Sequence, residues 1–326
     1  MSAAPSTTTT TSWFGFYPHR PFYAAAEPDY AELSALDLPR TLSASVFRLD
    51  TPTASLQACR DGLLLVSFKT TSSARTVQEH LNCLYVLLSS HAADYKFASF
   101  LPLEELALGD ILVCHYTGET LVRAELEGVN ERTRTQFLAR YLTTHLPIQP
   151  DKFDFTPHGF WDKLGKATHL HAAPLRARQG RVLPESVYQA VATDYARLSS
   201  DSLFVSILAS LTQALGHYHA KNYAESLIFS WFVIEAYLYE LYARKVARGQ
   251  AEESLSASVL IRELKSARVL PYEVGNDLHT IRLARNRIVH DKFRTTPDPE
   301  PAALAIEALK EFIRRDVGLN LNLPLE

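Results

Sequence analysis

This chain of 326 residues is short of basic charge, cysteine, glycine and long apolar runs, and each shortage removes a class of protein. Thirty-three Lys and Arg against 36 Asp and Glu leave a net charge of −3. Proteins that coat nucleic acid non-specifically are far more basic, so any contact with RNA must be local. Cys59, Cys83 and Cys114 lie far apart, and none forms a Cys-x-x-Cys pair. That spacing indicates neither a disulfide framework nor a thiolate zinc site, and reads as small buried hydrophobes in a reducing compartment. Only 12 glycines occur, and none builds a Gly-rich phosphate loop after a strand. The most apolar stretch, 227–243, carries Glu235 and Glu240 and falls short of a membrane span. Residues 1–12 are Thr-rich, lack the basic and apolar regions of a secretory signal, and read as a disordered tail. The expectation is a cytoplasmic protein with no membrane contact.

With 47% hydrophobic and 21% charged residues, the composition is globular, and the length suits two cores. An N-terminal mixed α/β recognition domain is expected over 13–160. Its predicted strands are 45–49, 63–69, 97–101, 111–116 and 121–126, the last two joined by a hairpin at Thr117-Gly118-Glu119. Asp61-Gly62 signals a turn. Val77, Leu81, Leu84 and Leu88 recur at helical spacing behind the cap candidate Ser73, and a second helix is expected over 130–145.

Periodicity fails from Pro147 to about Pro184. Between Lys163 and Pro184 stand five Lys or Arg, two His and no acid. A basic linker is therefore placed at 161–195, either simply solvated or guiding a phosphate backbone. His169 and His171 have no third ligand in the sequence, so neither a metal nor another cofactor is expected.

From 196 to 326 the chain reads as an all-α, up-and-down bundle, which makes the fold class α+β. Apolar stripes predict long helices over 203–218, 227–248, 272–291 and 301–317, with a shorter one at 257–267. On the helix at 272–291, Arg282, Asn286 and His290 share one stripe, while Ile281, Ala284 and Ile288 face the core. Arg285 sits about 140° around the axis from His290. One helix cannot close both groups on a single atom, whereas two copies about a two-fold axis do so better. The residue types suit RNA cleavage without metal. An imidazole can take the proton from a 2′-hydroxyl or give one to the leaving 5′-oxygen. A guanidinium steadies the extra charge of the phosphorane, and Asn286 can donate to a phosphate oxygen or fix the imidazole. A helix-end histidine that only neutralises the dipole, beside a solvated arginine face, explains the same spacing without chemistry.

Arg285-Asn286-x3-His290 resembles the Arg-polar-x-His signature of the HEPN (higher eukaryotes and prokaryotes nucleotide-binding) superfamily. The aromatic helix around Phe229-Ser-Trp-Phe-Val-Ile-Glu235 resembles the second helix of such domains, particularly the Apea-like group. The likeness covers about residues 200–320. It implies a metal-independent endoribonuclease, active as a homodimer through the bundle, leaving a 2′,3′-cyclic phosphate and a 5′-hydroxyl, in antiphage defence or a toxin-type system. Carried over, Arg285 and His290 are catalytic, Asn286 is the polar companion, and Glu235 supports the site by pairing with Arg282 or Arg285. Arg287, Lys292, Arg176 and Arg178 are the candidate RNA contacts. The alternative is a non-catalytic dimerising subunit of a larger defence complex. Modification on a tyrosine just after the His is disfavoured, because Phe293 stands there. The N-terminal domain carries no recognised motif, and a partner protein or an activating ligand are its candidate occupants.

Overall fold

The computed structural model describes residues 12–18, 22–26, 44–69, 73–95, 103, 105–107, 111–117, 120–123, 180–247, 255–290 and 298–325. They divide into two compact units. The first comprises 1–81, 92–100 and 106–193, and the second 82–91, 101–105 and 194–326. The predicted strand at 97–101, the helix at 130–145, the histidines at 169 and 171, and most of the basic strip fall outside the described residues. The architecture is α+β, a sheet followed by helices. No described helix is long and apolar enough to cross a membrane.

The first unit is organised by a six-stranded sheet. Its strands are β1 (Trp13–Phe16), β3 (Ser45–Asp50), β4 (Ala54–Cys59), β5 (Leu64–Phe68), β6 (Leu112–Thr117) and β7 (Thr120–Arg123). Their order is β3-β4-β5-β1-β6-β7, and every pairing is antiparallel. The β6–β7 register pairs Thr117 with Thr120, as the hairpin reading required. The turn at Asp61-Gly62 also stands. Gly62 has φ 86°, a conformation that costs glycine little, and the Asp61 carboxylate accepts from the Leu63 amide at 3.2 Å and from the Tyr17 hydroxyl at 2.5 Å. Two strands of this sheet went unpredicted. β4, Ala54-Ser-Leu-Gln-Ala-Cys59, alternates but has no aromatic or β-branched residue and so carries a weak strand signal. β1 is short, yet lies between β5 and β6 in the middle of the sheet. Trp13, Cys59, Leu63, Leu65, Leu112 and Cys114 form a core cluster of this sheet. A small parallel pair joins β2 (Tyr23–Ala24) to β8 (Val182–Leu183).

Helix α1 (Ala74–His91) starts at the predicted cap, where Ser73 Oγ accepts from the Thr76 amide at 3.1 Å. Its second half, from 82, belongs to the second unit. There the buried Asn82 Oδ1 accepts from Thr212 at 3.3 Å, and His91 Nε2 meets Asp194 Oδ2 at 2.7 Å. Helix α2 (Glu185–Leu198) takes in the last eleven residues, 185–195, of what the sequence marked as linker.

The second unit continues with α3 (Ser202–His219), α4 (Tyr223–Lys245), α5 (Ala257–Ser266), α6 (Tyr272–His290) and α7 (Pro299–Val317). Helix α4 packs against α3, α5, α6 and α7. Its stripe of Leu227, Trp231, Ile234, Leu238 and Leu241 is buried, each of the large members contributing roughly 1.5–3 kcal/mol. Helix α7 starts two residues earlier than predicted, because Pro299 as well as Pro301 fits a first turn that has no need of the amide hydrogen. It ends at Gly318 in the left-handed region (φ 71°). The chain then runs extended, burying Leu319, Leu321 and Leu323 in alternation. The Asn322 amide donates to Ser90 Oγ at 2.8 Å, and the Leu323 carbonyl accepts from Lys310 Nζ at 3.3 Å.

Two substitutions test this packing. A Cβ on Gly15 would lie 2.6 Å from Leu65 Cδ2 and 2.7 Å from the Leu64 carbonyl oxygen, so Gly15→Ala must move backbone in the sheet centre. It should destabilise the first unit by about 1–3 kcal/mol in urea titration. Burial holds the His80 imidazole, edge-on to Phe68 at 5.0 Å, below its ordinary value of 6.5. The unfolded state therefore takes up the proton first, and His80's contribution to stability, complete above that value, falls as the pH drops below it. His80→Gln should flatten the loss of stability between neutral and mildly acid pH.

Candidate functional site

Helix α6 carries the signature. Leu278, Ile281 and Ile288 fix its rotation by being buried, which leaves Arg282, Arg285 and Asn286 half-buried and Arg287 and His290 exposed. Arg285 Nη1 donates to Asn286 Oδ1 at 3.1 Å, so the predicted polar companion orients the guanidinium rather than the imidazole. The Nε atoms of Arg282 and Arg285 are buried without a hydrogen-bond partner among the described residues. Neither arginine forms a salt bridge to a described carboxylate.

The expected pairing of Glu235 with Arg282 or Arg285 is not formed. Glu235, half-buried on α4, has no ion-pair partner among the described residues. What meets Arg285 from α4 is an aromatic ring. The guanidinium carbon lies 6.0 Å from the centre of the Phe232 ring, within cation–π range. Phe232 is 53% exposed. The sequence analysis did not single it out, although its position was informative. It follows Trp231 by one residue, about 100° around the helix, and therefore falls off the buried stripe.

Arg285 and His290 thus differ in setting as well as direction. Arg285 is wedged between an amide and a ring, whereas His290 stands exposed at the last helical residue. Two apolar side chains on the same helix, Leu283 (50% exposed) and Val289 (39%), also face outward. Lys292, Arg176 and Arg178 lie outside the described residues. Among the described residues, no three His, Cys, Asp or Glu side chains come together in a group that could hold a metal. A permanently charged donor array without a counter-carboxylate among the described residues, beside an exposed ring, can bind and polarise an oxyanion.

The chain matches no family model, no curated protein and no solved structure. The chemistry must therefore be argued from these side chains.

An arginine without a carboxylate partner is expendable for folding, unlike its buried helix neighbours. Arg285→Ala should change unfolding free energy by less than about 1 kcal/mol. Ile288→Ala, which empties a site 3% exposed, should cost about 2–5 kcal/mol in the same denaturation experiment.

Proposed function

We propose that the helical unit is a metal-independent endoribonuclease of the HEPN type, working in the cytoplasm on single-stranded RNA. The observation that carries this reading is Arg285. It is half-buried, oriented by Asn286 at 3.1 Å, unopposed by any described carboxylate, and on the same helix as an exposed His290. A structural arginine in such a position would be expected to pair with an acid, and Glu235 on the neighbouring helix does not serve. An arginine kept unpaired is available to a phosphate.

In the proposed reaction an imidazole accepts the 2′-hydroxyl proton as the 2′-oxygen bonds to phosphorus. The bond to the 5′-oxygen breaks, and that oxygen takes up a proton given back by the imidazolium so formed. The guanidinium, with donors in a planar fork, carries the added negative charge on the non-bridging oxygens. Because His290 and Arg285 diverge around α6, the complete site takes His290 from one protomer and Arg285 from its partner. The outward-facing Leu283 and Val289 support an association through this helix. A homodimer acting in antiphage defence or as a toxin fits this chemistry, with the N-terminal unit recognising RNA, a partner protein or an activating ligand.

The test is cleavage of single-stranded RNA in EDTA. Wild type should leave 2′,3′-cyclic phosphate ends, and DNA of the same sequence should survive because it lacks the attacking hydroxyl. His290→Ala and Arg285→Ala should each abolish cutting, and mixing the two variants should restore part of it if the site is shared between protomers. Cleavage that persists in both variants, or that vanishes with chelator, overturns the reading. A stable dimer that never cuts RNA points instead to an interaction subunit.

A further inference from the structure

Phe232 has no explanation in folding. Its neighbour Trp231 fills the core at 2% exposure, while the Phe232 ring leaves more than half of its surface to solvent. Hydrophobic burial therefore does not account for an aromatic at this position. Its one described ring contact is the Arg285 guanidinium, 6.0 Å from the ring centre and held by Asn286 Oδ1 at 3.1 Å. Charged side chains border the ring. Half-buried Glu235 follows three residues later on α4, and Arg282 lies one turn before Arg285 on α6. The site has the two features required by an unpaired nucleotide, a π-face for the base and a fixed cation for the phosphate.

We infer that Phe232 is a stacking platform for an unpaired base, placing the adjoining phosphate on Arg285 and so restricting the site to single-stranded nucleic acid. This rests on the RNA reading of Arg285, and it adds a positioning residue and a physical reason for the single-strand restriction. A base inside a duplex has both faces covered by its neighbours and cannot stack on the ring without leaving the helix. Stacking is indifferent to the sugar, so single-stranded DNA is held as well as RNA, and discrimination between them falls to the cleavage step.

Binding measured without cleavage separates this inference from the nuclease reading. Full-length protein carrying His290→Ala is titrated, in EDTA, into fluorescent single-stranded RNA, single-stranded DNA of the same sequence, and blunt duplex RNA, with anisotropy as the readout. Phe232→Ala should weaken both single strands by about tenfold or more, as loss of one stacked base requires. Phe232→Trp should restore the affinity, and an abasic nucleotide at one position should reproduce the loss in the protein with Phe232 intact. Duplex binding should be weak and indifferent to Phe232. The inference is overturned if Phe232→Ala binds single strands as tightly as its parent, if duplex depends equally on the ring, or if no single strand binds. It is also overturned if Phe232→Ala lowers the sedimentation mass, because the ring is then a contact between copies of the chain. Wild-type protein that binds through Phe232 but never cuts RNA would refute the nuclease and leave the platform standing.

Discussion

The second unit depends on the two-sidedness of α4. One face is a stripe of large apolar side chains, and α3, α5, α6 and α7 all pack against that helix. Once Trp231, Ile234 and Leu238 are committed to the core, the rotation of α4 is no longer free. Residues about 100° away must lie at the edge of the packed face. Phe232 is one of them. The same logic acts on α6, where Leu278, Ile281 and Ile288 choose the buried side and the arginines take what remains. The meeting of Phe232 with Arg285 thus follows from two hydrophobic stripes, and no polar interaction is needed to bring it about.

That origin explains the electrostatics of the site. A guanidinium positioned by packing need not be neutralised; Arg282 and Arg285 have no salt bridge to a described carboxylate, and their Nε atoms have no hydrogen-bond partner among the described residues. Several arginines elsewhere in the unit do pair with acids. Arg244 lies 2.6 Å from Glu240, Arg314 lies 2.7 Å from Glu311, and Arg197 lies 3.3 Å from Asp194. These are mostly solvent-facing contacts of small energetic weight. Burying an Nε without an acceptor costs free energy, and such a cost is commonly found where a site is kept ready for an external anion.

Much of the helical half was legible in the sequence, because its helices are long and one-sided. The stripes located all five helices from 202 onward, with ends displaced by a few residues where capping chemistry rather than periodicity decides. The sheet was less legible. β4 alternates but has no aromatic or β-branched residue to mark it as a strand, and β1 is four residues long with a glycine inside it. Pairing across the sheet, which no local pattern encodes, makes β1 central. In the candidate site, Arg282, Arg285, Asn286 and His290 were legible from helical spacing. Their partners were not. Reach and rotamer decide whether Glu235 or Phe232 meets Arg285, and only the packed helices settle those.

The leucine ladder after Gly318 has a consequence for how the unit opens. Leu319, Leu321 and Leu323 are each held by burial, but the segment has no regular backbone ladder of its own, and its described polar anchors are few. Such a strip peels one residue at a time instead of melting cooperatively, and every step uncovers an apolar groove. Proteolytic trimming into this strip would turn a well-covered helical unit into a sticky one while its helices remained folded.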